Sequence, residues 1–148
     1  MNTTLSSPET SSCGSTSGRH FSLLNTPTTS HCFNLNNTFS NPNVTIPGFQ
    51  YDLLNTASFN YSTNHSQISY SQPSTASQQP SNLTLKTYNG LDCIRIAESY
   101  GLIEPWTEWT CATSSGGECS TLPYSVRSFV IGPSSEKGRK GKCVVAAS

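Results

Sequence analysis

Phe49-Gln50-Tyr51-Asp52-Leu53-Leu54-Asn55-Thr56-Ala57-Ser58-Phe59-Asn60-Tyr61 typifies the first 86 residues of the chain: single aromatic rings set among polar and a few aliphatic residues, with Asp52 the one charge of the stretch. How this stretch is read decides the fold. Residues 1–86 contain 17 Ser, 13 Thr and 11 Asn, punctuated by prolines at 8, 27, 42, 47, 73 and 80. Isolated rings recur at Phe21, Phe33, Phe39, Phe49, Tyr51, Phe59, Tyr61 and Tyr70. No helical or strand period persists over more than about six residues. Polar sequence with scattered aromatics is the composition of self-associating disorder.

Working outward, the whole chain is 33% hydrophobic and 11% charged, which leaves little aliphatic surface to bury. Ordering a residue costs roughly 1–2 kcal/mol of backbone entropy, so a core spanning the full chain is not expected. Residues 1–86 are therefore expected to be a disordered Ser/Thr/Asn-rich low-complexity arm. Its patches Phe21-Ser22-Leu23-Leu24 and Phe49 to Leu54 would dock as they fold onto a partner.

Composition shifts near residue 87. Asp92 reads as a helix N-cap, and Leu91, Ile94, Ala97 and Gly101 form an apolar stripe. Gly101 stands where a left-handed C-cap belongs, and Pro105 is a stop. A short helix is expected over Asp92 to Tyr100. Residues 124–131 read as a strand and Lys142 to Ala146 as a second, joined by a breaker-rich loop into a long hairpin. Residues 87–148 would thus be a small α+β module of marginal stability, one that needs staples or a partner. The expected fold class is mostly disordered, with that module at the C-terminal end.

Formal net charge is zero, but it is unevenly placed. Residues 87–118 carry a net of −4 and residues 127–142 a net of +4. Within the latter, Lys137, Arg139, Lys140 and Lys142 form a glycine-spaced basic loop over 137–142. It is a candidate contact for a protein partner, for nuclear import or, weakly, for nucleic-acid phosphates.

Six cysteines are present, none in a C-x-x-C pair. Cys93, Cys111, Cys119 and Cys143 lie in the expected module. Free thiols are the default in a reducing compartment, and disulfides among these four are the alternative. The gaps between them are 17, 7 and 23 residues, unlike the close pairs of structural zinc sites. No metal and no cofactor is expected. All three histidines fall in the arm, no phosphate loop follows a strand, and no catalytic constellation is present.

Trp106 and Trp109 are candidate partner-binding anchors. Three apart and followed by Cys111, they resemble the opening of a thrombospondin type 1 repeat. That resemblance implies disulfide-capped layers of stacked Trp and Arg, with Arg127 supplying such a layer. The chain departs from the pattern. Cys111 comes one residue too soon, and the seven residues Ala112 to Glu118 replace the family's close cysteine pair. No membership is assigned.

The N-terminal residues lack the basic and apolar regions of a secretory signal, and no apolar run approaches a membrane span. The expectation is a non-enzymatic interaction or regulatory protein, nuclear or cytoplasmic, with a transcription-associated role as its most concrete form. One alternative is a secreted or cell-surface glycoprotein with a glycosylated stalk and a disulfide-stapled module, given an upstream leader. Six N-x-[ST] sequons, at Asn2, Asn36, Asn43, Asn60, Asn64 and Asn82, bear on that alternative. Another is a truncated or recently arisen reading frame without settled function.

Overall fold

The computed structural model describes residues 1–7, 18–56, 60, 62–72, 80–96, 106–111, 118–134 and 144–147. Among the described residues ten strands are formed: β1 (Asn2–Ser6), β2 (Arg19–Leu23), β3 (His31–Asn34), β4 (Tyr51–Leu54), β5 (Gln67–Ser71), β6 (Pro80–Tyr88), β7 (Trp106–Cys111), β8 (Glu118–Thr121), β9 (Ser128–Pro133) and β10 (Val144–Ala147). A short helix, α1 (Leu35–Ser40), follows β3 directly. The strands make two five-stranded sheets, ordered β4-β2-β1-β5-β8 and β10-β7-β6-β9-β3. Every pairing is antiparallel.

Two-residue alternation explains why these segments pair. Arg19-His20-Phe21-Ser22-Leu23 and Gln67-Ile68-Ser69-Tyr70-Ser71 each send their apolar residues to one face. Thr, β-branched, supplies strand propensity without apolar surface. Register aligns the apolar faces: Leu5 lies opposite Ile68, Leu85 opposite both Ile131 and Trp109, and Phe33 opposite Phe129. These faces meet between the sheets in one core. Phe21 of the first sheet lies 5.1 Å from Phe33 and 5.3 Å from Phe129 of the second, and Tyr70 lies 5.8 Å from Trp109. The protein is a two-layer β-sandwich, whose buried rings are each worth roughly 1.5–3 kcal/mol.

The expectation of a mostly disordered chain with a small α+β module at its C-terminal end is overturned. Residues 1–86 supply all of β1 to β5 and most of β6, distributed over both sheets. Phe21, Phe33, Phe39, Phe49 and Tyr70, read as isolated rings, are buried core. Aliphatic content alone understates the core: a few large aromatics bury enough surface when two sheets gather them.

Two elements are also corrected. The expected helix from Asp92 is not formed over the described part of that stretch. Leu91–Cys93 is a single 3-10 turn with Asp92 (φ 57°) and Cys93 (φ 55°) left-handed, and Ile94 is extended; residues 97–100 lie outside the described residues. The expected terminal hairpin does not form either. β9 pairs with β6 and β3, whereas β10 pairs with β7.

A crossing segment over 122–127 plugs one end of the sandwich. Leu122, Tyr124 and Val126 are buried, and the amides of Leu122 and Val126 donate to the carbonyls of Ser66 and His65. The Tyr124 hydroxyl reaches Thr87 Oγ1 at 2.8 Å and Thr107 Oγ1 at 3.1 Å, so the buried hydroxyls satisfy one another.

Candidate functional site

Trp106 and Trp109 lie three apart on β7, and alternation sends them to opposite faces. Trp109 is completely buried against Tyr70. Trp106 is half-buried on the outer face of the second sheet. There Lys86 pairs in register with Glu108, and Tyr88 with Trp106. Lys86 Nζ sits 4.2 Å from the Trp106 ring centroid and 5.6 Å from that of Tyr88. Such a contact is worth about 0.5–1 kcal/mol where exposed. Thr84 Oγ1 donates to the Glu108 carboxylate at 3.0 Å. The Trp106 Nε1 has no hydrogen-bond partner among the described residues. Burial raises the Tyr88 hydroxyl pKa, with Arg95 opposing and Glu108 adding to the shift.

A second feature was not read from the sequence. The edges β3 and β4 face each other, and α1 with the 41–50 loop spans the gap. The loop is pinned at its far end: Asn25 Nδ2 donates to the Gly48 carbonyl, Asn25 Oδ1 accepts from Gln50 N, and Leu24 N donates to the Gln50 carbonyl. Gly48 adopts φ 84°, a left-handed conformation that glycine takes without steric cost. Between loop, helix and edges lies a cleft of about 310 Å³ lined by His31, Asn37, Thr38, Asn41, Val44 and Tyr51, among others. A neighbouring cleft of about 320 Å³ shares Val44, Ile46 and Tyr51. Tyr51 stacks on Phe21 at 4.7 Å and donates to the Val44 carbonyl at 3.3 Å. His31 packs edge-on against Phe33, and burial pushes its pKa below the ordinary value, so the ring is neutral at pH 7.

Among the described residues, no Lys, Arg, Asp or Glu lines either cleft. Its chemistry is amide, hydroxyl and aromatic: hydrogen bonding and stacking of an uncharged group, without ionic attraction. The Pro47-Gly48 dipeptide was the signal available in the sequence, since it marks the turn that folds the wall back.

The cysteines lie as follows. Cys93, in the 91–93 turn, is bonded to Cys32 of β3, with a Cα–Cα distance of 6.0 Å. Asn34 clamps the same turn, donating to Asp92 Oδ1 at 2.8 Å and accepting from Asp92 N at 2.7 Å. Cys119 of β8 is disulfide-bonded too, and no described cysteine is a free thiol. Cys111 ends β7. Cys143, Lys137, Arg139, Lys140 and Lys142 lie outside the described residues. No helix among the described residues is long and apolar enough to cross a membrane.

These features define a disulfide-pinned all-β sandwich with an uncharged cleft at one edge and an aromatic–cation face on the second sheet. No protein-family model matches the chain, and neither a curated protein nor a solved structure is significantly similar to it.

Proposed function

We propose that the chain is a non-enzymatic binding module of an oxidising compartment, part of a secreted or cell-surface glycoprotein. The observation that carries this reading is the Cys32–Cys93 bridge, which joins segments 61 residues apart. Disulfides persist in secretory and extracellular compartments and are rare where glutathione keeps thiols reduced. The same bridge weighs against the nuclear, transcription-associated reading. The sequon asparagines fit the proposal: Asn2, Asn43, Asn60, Asn64 and Asn82 are exposed and Asn36 is half-buried.

The test is intact mass of the protein from its native source, alkylated with and without prior reduction. Cys32, Cys93 and Cys119 are expected to resist alkylation until reduced. Full alkylation of all three without reductant would overturn the proposal.

A further inference from the structure

The neighbouring cleft of about 320 Å³, which shares Val44, Ile46 and Tyr51 with the one at the β3–β4 edge, has a candidate occupant attached to its own rim. Asn43-Val44-Thr45 is a sequon on the 41–50 loop, and both Val44 and Thr45 line the cleft, as does Pro42 on the other side of Asn43. Asn43 is exposed in a turn closed by the Val44 amide donating to the Asn41 carbonyl, and Thr45 is exposed beside it. The surface next to it is unusually apolar: Leu24, which also lines the cleft, is 59% exposed and Val44 54%. Exposed aliphatic and aromatic surface beside a sequon matches the apolar face of a sugar ring, and the neutral amides and hydroxyls match its hydroxyl groups.

We propose that Asn43 is an N-glycan acceptor and that the first sugars of its glycan lie in this cleft, over Val44, Leu24 and Tyr51. The proposal rests on the oxidising-compartment reading. In the transfer, Asn43 Nδ2 bonds to the anomeric carbon of a lipid-diphosphate-linked oligosaccharide. The carbon–oxygen bond to diphosphate breaks, lipid diphosphate leaves, and the amide gives up one proton. A second sequon, Asn36-Asn37-Thr38, borders the 310 Å³ cleft beside it and is placed differently. It lies within α1, Thr38 is buried, and the Asn36 side-chain oxygen already accepts from Asn37 N at 2.9 Å. Asn43, not Asn36, is the acceptor here.

Site occupancy is read by glycopeptide mass spectrometry of the native-source protein, alongside the alkylation measurement. Burial of the cleft is read by the fluorescence of an apolar dye before and after enzymatic glycan removal. The Asn43 peptide is expected to carry sugar, and deglycosylation to raise dye fluorescence. Asn43→Gln and Thr45→Ala each remove the sequon. Both are expected to lose one glycan mass and to start at the raised dye level, with no further rise on deglycosylation. A bare Asn43 in a disulfide-bonded protein overturns the inference and leaves the compartment reading standing. Occupied Asn43 with unchanged dye binding overturns the cleft assignment. Sugar-free protein whose thiols alkylate without reduction removes both.

Discussion

Trp106 and Trp109 show how much one strand register decides. Both read as apolar anchors in the sequence, and nothing in their local spacing ranks them. The fold puts Trp109 in the core and Trp106 outside, with Lys86 over its ring. Trp109→Ala is therefore expected to cost about 3–5 kcal/mol, a large share of a domain's stability. Trp106→Ala is expected to cost about 1 kcal/mol, the cation–π contact and some packing. Urea unfolding of the two variants checks this, and equal losses would contradict the face assignment. Tyr124 makes a second case. Its hydroxyl links Thr87 and Thr107, one from each of two neighbouring strands. Tyr124→Phe keeps the ring and removes the link, for an expected loss of about 1–2 kcal/mol. A denaturant midpoint unchanged from wild type would show that the three hydroxyls find other partners.

At the scale of elements, legibility followed length and contrast. The alternation in His31-Cys32-Phe33 and Tyr51-Asp52-Leu53 is genuine strand patterning, but each strand is four residues long, ending at Asn34 or Leu54. Runs so short fall below what periodicity distinguishes from chance. The Asp92 segment misled for the opposite reason: its apolar spacing was good, yet the disulfide to Cys32 and the Asn34 clamp hold Asp92 and Cys93 left-handed. That conformation costs of order 1–3 kcal/mol per residue and persists only where surroundings impose it. No sequence pattern announced the Cys32 partner, because pairing across 61 residues depends on β3 and the 91–93 turn already being side by side. Replacing both cysteines, as Cys32→Ser with Cys93→Ser, is expected to cost about 2–4 kcal/mol. Hydrogen exchange should rise around residues 91–95 more than in β6 or β9. Uniform acceleration across the protein would mean that the bridge serves the global fold and not this turn.

Across the whole molecule, the sandwich places a histidine where water is scarce and positive charge is near. His65 is buried at the end plugged by the 122–127 segment, its amide donating to Ser125 Oγ at 2.9 Å. Burial, with Arg127 and Arg19 adding repulsion, lowers its pKa from the ordinary 6.5 to about 4. The folded protein therefore keeps the ring neutral at pH values where the unfolded chain protonates it. Between pH 6.5 and about 4 the unfolded state binds the extra proton, so stability is full above that window and falls as pH drops through it. His31, whose pKa burial also lowers, adds to the fall in the same direction. Urea midpoints measured from pH 7.5 to 4.5 are expected to decline for the wild type. His65→Gln, though less stable at neutral pH, is expected to show a flatter decline, since it has no proton to take up on unfolding. The difference in slope, not in absolute stability, carries the result. Parallel declines for the two proteins would place the acid sensitivity elsewhere and leave the buried histidine a packing residue alone.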